Sequence, residues 1–524
     1  MKKCVFLLLA IFFLAACGRG GGDDLPEDGP ILPVQGGTTQ GGATQGGATQ
    51  NEALVLPPRE AAPITLPVPP VHPGGASIMQ YELVIPLIHD YVSAFRYGVA
   101  RIYALRGLEW RFFSPVGMID TQGELVFSPE TDVLNIGEVY NSITWFILTR
   151  SQPLNLGSKT VIVDVNSGLV LYELPPWSMF SDFVRGYDMM VVERFNIDTN
   201  DRAFGVMTIS GQEIAPLDYR RLVGFNEGVG IIVVSPEDSP HLNRVGFVDL
   251  GGNFIIEPRF HDARPFAHGV AAVSSTRMAD GPRWGLIDLN GEEVLPERYQ
   301  HIGPFSGGLA RVQRAGNQGF INSLGEMVIP VQNMMARNFS EGMVAFAHFY
   351  IIESEMFWLW GFMDAEGMPR VSPQFYQVRD FSGGMAAVAV RGDDGELLWG
   401  FVNTLGEMVI PPMYDWVSCF IDGYAVVNRH GETFSWTEFD DDFLFIGSRA
   451  ITGAEMRTVW QVTGGDFYIV DTLGRMVLQL PDFCAVGEMS EGMLPVNQGR
   501  TMGGPEGNRQ VVEEGRWGFV RLVK

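Results

Sequence analysis

One eight-residue phrase recurs along most of this chain, and it limits the fold more than any other feature. It reads Trp284-Gly-Leu-Ile-Asp-Leu-Asn-Gly291, Gln318-Gly-Phe-Ile-Asn-Ser-Leu-Gly325, Trp360-Gly-Phe-Met-Asp-Ala-Glu-Gly367 and Trp399-Gly-Phe-Val-Asn-Thr-Leu-Gly406. Val245 to Gly252 is another copy, and Val116 to Gly123 and Phe204 to Gly211 are looser. Tyr468 to Gly474 lacks the Gly of the Trp-Gly pair, Val161 to Gly168 is degenerate, and Trp517-Gly-Phe-Val520 is cut short. A period of this kind is the mark of a stacked repeat architecture.

Each copy carries its own folding instructions. The Asp/Asn-x-x-Gly step suits a tight hairpin: the Asp or Asn side chain opens the turn, and Gly takes the left-handed position that closes it. An apolar strand precedes it, and another follows, as in Glu326-Met-Val-Ile-Pro330 and Glu407-Met-Val-Ile-Pro411. Pro is expected to end regular pairing there. An aromatic comes next (Tyr219, Phe260, Tyr299, Phe375, Tyr414), then Phe-Ser-x-Gly or a variant, such as Phe225 to Gly228, Phe305 to Gly308, Phe339 to Gly342 and Phe381 to Gly384. That motif leads into a further strand, Leu309 to Arg314 for example. The pattern predicts about three strands per unit and no helical periodicity. A single unit cannot bury its own apolar face, so the units must stack.

The linked motifs resemble the WG (KWG) repeat of bacterial proteins over about Glu82 to Val520, fading in 123–203 and 428–466. The resemblance brings no general biochemical activity to assign to particular residues. The expected fold is all-β: tandem repeats in a β-propeller or propeller-like ring, with two smaller rings or an open β superhelix as alternatives. The phase of the array favours a ring. It begins on the second half of a unit, Glu82-Leu-Val-Ile-Pro86, and ends on the first half, Trp517 to Val520, so joining the two completes one unit. Against closure stands the tally of about ten units, above the usual 4–8 blades. Trp284, Trp360, Trp399 and Trp517 are expected to pack between units.

The N-terminus points to a compartment. Lys2 and Lys3 precede an apolar run, Val5 to Leu14, too short to span a bilayer, and Leu14-Ala-Ala-Cys17 resembles a bacterial lipobox. The resemblance implies residues 1–16 as a lipoprotein signal peptide, lipid on the Cys17 thiol, and an extracytoplasmic protein anchored to the cell membrane or outer membrane. Residues 17–78, with three Gly-Gly-x-Thr-Gln copies in 36–50 and a Pro-rich stretch after them, read as a tether to a repeat domain over 79–524. The formal charge of −25 argues against nucleic acid, whose phosphates need Lys and Arg. Cys419 and Cys484 fall at different repeat offsets and read as apolar thiols rather than a bridge.

Function, at this level, lies in the insertions. The Asp/Asn-x-x-Gly hairpins keep their length. The hairpins between the Phe-Ser-x-Gly strand and the Trp-Gly strand vary: 235–244, 274–283, 349–359, 391–398, 428–458 and 497–516. Equivalent hairpins of a stacked array share one face, which makes that face the candidate binding surface. Its candidate residues are His241, Arg277, Phe357, Trp358, Trp436, Asp440, Asp441, Asp442 and Arg509. The expected partner is a protein, peptidoglycan or polysaccharide. No nucleophile elbow, zinc-binding His-Glu-x-x-His, Walker loop or Cys-x-x-Cys pair is present, and no cofactor or metal is expected. The run Asn196 to Asp201 lacks the Gly and Glu that a calcium loop needs. The reading is a membrane-anchored binding scaffold rather than an enzyme; the alternatives are a glycan-active enzyme and a structural spacer.

Overall fold

The computed structural model describes residues 79–106, 112–127, 133–137, 139–149, 158–196, 201–219, 221–234, 243–275, 283–352, 355–392, 395–439, 445–446, 449–450, 456–481, 483–498 and 516–523. Among them every regular element is a strand. Ten four-stranded antiparallel sheets follow one another along the chain. We number them as blades: 91–127, 133–173, 178–219, 221–260, 262–299, 301–332, 335–375, 377–414, 416–480, and a tenth that joins 485–523 to 80–89. Within each blade the strands are called a to d in the order in which they pair. In blade 5 these are Asp262–Ala263, Val270–Ser274, Trp284–Asp288 and Glu293–Tyr299.

The tenth blade fastens a closed ring. Its d strand, Gln80–His89, pairs antiparallel with its c strand, Arg516–Val523, from Gln80↔Val523 to His89↔Trp517. Ile85, Met493, Trp517 and Phe519 of this blade then share a core with Val92, Phe95 and Ala100 of blade 1. Every other consecutive pair of blades is also in contact, so the alternatives of two smaller rings or an open superhelix do not hold. Arg379, just after strand a of blade 8, lies 3.7 Å from Glu488 of blade 10, passing over blade 9. Such a chord is short only near an axis, which places the a strands innermost.

The expected three strands per unit are four. The missed strand is the innermost one, often two residues long, as in Asp262–Ala263 or Gln377–Val378. Two residues are too few to show alternation. Pro does not end the pairing either. Strand d runs through Pro296 and Pro373, and its register slips opposite the Trp-Gly step, between Trp284 and Leu286 in blade 5. Strand d is the outer edge, where a missing N–H costs little. The bulge explains the Gly: a Cβ on Gly285 would sit 2.4 Å from the Leu295 carbonyl oxygen.

Each motif residue ties one blade to the next. The Phe of Trp-Gly-Phe meets the Phe of the next blade's Phe-Ser edge-to-face: Phe320 with Phe339 at 5.0 Å, Phe362 with Phe381 at 4.9 Å, Phe401 with Phe420 at 4.8 Å. Phe519 with Phe95, at 4.7 Å, repeats this contact across the closure. Such pairs contribute about 0.5–1.5 kcal/mol beyond area burial. The a–b turns interlock as well. Ser340 and Ser382 donate hydroxyl hydrogen bonds to the carbonyls of Phe381 and Phe420, and Glu341 accepts from the amides of Gly383 and Gly384 at 2.9 and 2.8 Å. Across the closure, Ser490 donates to the Phe95 carbonyl and Glu491 accepts from the Gly98 amide.

The c–d turn explains the interchange of Asp and Asn. Asp288 Oδ1 accepts from the amides of Asn290 and Glu292 at 2.9 and 2.8 Å, and Asn322 Oδ1 accepts from Leu324 and Glu326 at 3.0 Å each. Both residues supply the Oδ1 acceptor that the turn amides need, so either serves; Asn322 Nδ2 also donates to Glu326 Oε2 at 2.9 Å. The closing Gly is doubly required at Gly325, where φ is 75° and a Cβ would lie 3.1 Å from Leu295 of the preceding blade.

Trp284, Trp399 and Trp517 are buried, and Trp360 packs against the core shared by blades 7 and 8. Cys419 and Cys484 are unbridged and half-buried. Cys484 is not in apolar surroundings as expected: its Sγ lies 3.1 Å from Asn497 Oδ1.

Candidate binding face

Antiparallel order fixes which loops share a side of the ring. The a–b and c–d turns lie on one face; the b–c hairpins and d–a links lie on the other. All the length-variable segments of the sequence are b–c hairpins, so they do share a face.

Blade 7 builds the largest fully paired hairpin there. Its b strand, Met343–Ile352, and c strand, Glu355–Asp364, pair without interruption from Met343↔Asp364 to Ile352↔Glu355. Residues 349–352 and 355–359 therefore form a stiff paired ribbon. Opposed residues of such a ladder point to the same side. Phe349 and Trp358 are opposed, with ring centroids 5.5 Å apart, and Ile351 follows on the same side. They are 41%, 37% and 68% exposed. On the other side, Phe357 is half-buried and meets Tyr376 edge-to-face at 5.4 Å. Burial raises the Tyr350 phenol above its ordinary range. Of the two aromatics expected from the sequence, Trp358 is thus presented to solvent while Phe357 anchors the ribbon. Phe349 and Ile351 were not singled out, because alternation in so apolar a run does not say which side faces out. The neighbouring hairpin of blade 6 is a minimal turn at Ala315-Gly316, both with positive φ, so the ribbon stands beside a short neighbour.

Blade 9 carries the second structured insertion. Glu432–Phe439 pairs with Met456–Thr463 as a separate two-stranded sheet, with Trp436 opposite Val459. Val462 is fully buried among Trp416, Phe467, Leu480 and Phe483, which seats the insertion in the core. Asn428 Nδ2 donates to the Gly464 carbonyl at 2.9 Å, and His430 Nδ1 lies 3.2 Å from Asp466 Oδ2. His241, Arg277, Asp440, Asp441, Asp442 and Arg509 lie outside the described residues, as do Cys17 and the rest of 1–78.

Three blades carry an Arg two residues before the Phe-Ser position, which the sequence reading passed over. Arg264, Arg337 and Arg379 stack over Trp284, Trp360 and Trp399 of their own blades at 5.3, 4.9 and 5.5 Å. Arg264 also sits 2.8 Å from His301 Nε2 of blade 6. Burial pulls its guanidinium down to about 10, against the opposing pull of Asp262, and burial raises the Asp262 carboxyl. These groups are charged joints between blades. Among the described residues no cluster of three His, Cys, Asp or Glu could hold a metal ion.

Five segments, 246–275, 284–317, 319–347, 360–392 and 399–431, match the model of the family described as "WG containing repeat". The chain carries WG repeats. The matched segments fall in blades 4 to 9; blades 10 and 1 to 3, outside them, complete the same ring. No curated protein matches the chain. Among solved structures it is similar to a eukaryotic initiation factor at 10% identity and a TM-score of 0.43, over 72% of this chain and 95% of that one. It is similar to the open-velcro β-propeller domain of the trilobed protease of Pyrococcus furiosus at 11% identity and 0.26, over 56% and 88%. An uncharacterised protein of Listeria monocytogenes gives 9% and 0.29, over 63% and 94%.

Proposed function

We propose that this chain is a lipid-anchored, extracytoplasmic binding scaffold, and that the hairpin face of its ten-bladed ring engages a protein or a cell-envelope glycan. The observation that carries this reading is the blade 7 ribbon. Phe349, Ile351 and Trp358 form an apolar side held in solvent by a continuous ladder and braced from behind by Phe357 on Tyr376. Rigid aromatic anchors of this kind lose little side-chain entropy on binding. The contrast between faces supports it: one carries turns of nearly constant length that interlock the blades, the other carries every long insertion. Anchoring rests on Lys2, Lys3, the apolar run Val5 to Leu14 and Cys17.

The test uses the full-length chain and a variant with Phe349→Thr, Ile351→Thr and Trp358→Thr. Both are exposed to envelope protein extract, sacculi and surface polysaccharide. Saturable capture by the parent that drops at least tenfold in the folded variant supports the reading. Equal capture by both removes the ribbon from the proposal. Anchoring is tested separately: radiolabelled palmitate should enter the parent and not the Cys17→Ser variant, and label in both would contradict lipidation at Cys17.

A further inference from the structure

The face opposite the hairpins is plain in blades 6 to 8, where the a–b turns read Phe-Ser-Glu-Gly or Phe-Ser-Gly-Gly. In blades 1 to 3 that motif is lost. Tyr97 and Asn141 stand where blade 7 has Glu341, and blade 3 turns through Arg185-Gly186-Tyr187-Asp188. Neither a tyrosine nor an asparagine provides the carboxylate that elsewhere grips the next blade's amides.

An open cleft of about 310 Å³ lies between these three turns, lined by Tyr97, Tyr140, Asn141, Gly186, Tyr187 and Asp188. That is the small end of the range for small-molecule sites, about 300–1,000 Å³. Tyr140 is fixed: its ring stacks on Phe183 at 5.5 Å and 25°, and its hydroxyl oxygen accepts the Gly186 amide. Tyr97 and Tyr187 are 50% and 42% exposed. Tyr97 takes the left-handed conformation that this turn position shares across the ring, with φ of 52° beside 51° at Glu227 and 50° at Glu341, so the turn geometry is kept while the side chain differs.

We propose that this cleft is a saccharide subsite that takes one pyranose residue of a glycan. Its lining gathers the aromatic side chains of Tyr97, Tyr140 and Tyr187 with the Asn141 amide and the Asp188 carboxylate. A sugar ring offers the complement, an apolar C–H face edged by hydroxyls. One other ligand type fits worse. A nucleic acid would meet a chain of charge −25. The cleft is on the face away from the blade 7 ribbon, so this inference stands or falls separately from the proposal above.

The full-length chain is titrated with maltotriose, cellotriose and N,N′,N″-triacetylchitotriose, followed by saturation-transfer NMR and calorimetry. The three probes separate an N-acetylated glycan from a neutral one. The variants are Tyr97→Gly, which keeps the turn's backbone unstrained, Tyr187→Ala, and Leu405→Ala, an exposed position of blade 8 in neither site, as a control. The expected result is saturable binding of at least one probe, weakened at least tenfold by each tyrosine variant, unchanged by Leu405→Ala, with thermal unfolding alike in all four proteins. Binding that survives both tyrosine changes, binding lost equally in Leu405→Ala, or no binding of any probe would overturn the inference.

Discussion

Glu341 offers a sharp test of how the blades are joined. Its backbone has a φ of 50°, and its carboxylate receives the amides of Gly383 and Gly384 from blade 8. Two opposing terms follow. Hydrogen bonds to a charged group contribute about 1.5–3 kcal/mol each, but these amides are near the surface and water would replace much of the loss, leaving ~1–2 kcal/mol for the pair. Against this, the left-handed conformation costs a non-glycine residue about 1–2 kcal/mol, while glycine there adds about 0.5–1 kcal/mol of chain entropy. Glu341→Ala removes the bonds and keeps the strain, so it should destabilise the junction by ~1–2 kcal/mol. Glu341→Gly removes both, so it should be milder, as the native Gly307 and Gly383 at the same place in blades 6 and 8 suggest. Hydrogen exchange reads the junction locally: in Glu341→Ala the Gly383 and Gly384 amides should exchange about 5- to 30-fold faster, at 1.4 kcal/mol per factor of ten. Unchanged exchange in the Ala variant, or a Gly variant weaker than the Ala one, would refute the reasoning.

Three further outcomes follow from the same packing. Gly400→Ala places a Cβ 2.3 Å from the Ile410 carbonyl oxygen and 2.6 Å from the Pro412 nitrogen; both are backbone, so denaturant unfolding should show a loss of about 1–3 kcal/mol, and no measurable loss would contradict the bulge account. Phe401→Ala empties a fully buried site against Phe420 and should cost about 3–5 kcal/mol by the same measurement. Burial holds the His89 imidazole below its ordinary value of 6.5, so the unfolded chain takes up a proton first as pH falls; the stability it contributes is full above 6.5 and is lost as pH falls from there through the lowered folded value. Because His89 pairs with Trp517 in the closing blade, thermal unfolding should drop less between pH 7 and pH 5 in His89→Gln than in the parent, and an equal drop would rule the histidine out.

Much of the fold was legible because its motifs are local. Asp288 and Asn322 announce turns that need only an acceptor oxygen, and the split unit at Glu82 and Trp517 announced the closure. Other features escaped for physical reasons. The innermost strands are too short for alternation to register. The Pro of strand d looked like a stop because the bulge that accommodates it is opposed by a glycine in another strand. At the hairpin face, position along the chain picked out Trp358 and Phe357 together, yet only the ladder register separates the exposed residue from the braced one. The tyrosine cleft was invisible because Tyr97, Tyr140 and Tyr187 sit in three blades with the weakest motifs, and only the packing of successive blades brings those turns side by side. The Arg–Trp stacks had a signal, an Arg two residues before the recurring Phe, which becomes meaningful once the a strand is known.

The central claim is one closed ring, fastened by the pairing of the first and last strands. The direct test is a cysteine pair at Glu82 and Arg521, which are opposed in the closing ladder. Opposed antiparallel residues have Cα atoms about 4.5–5.5 Å apart, within reach of a disulfide. After mild oxidation of the folded, dilute Glu82→Cys/Arg521→Cys variant, peptide mass spectrometry should find residues 82 and 521 linked within one chain. A folded protein that links them only between chains, or not at all, would contradict the closed ten-bladed ring.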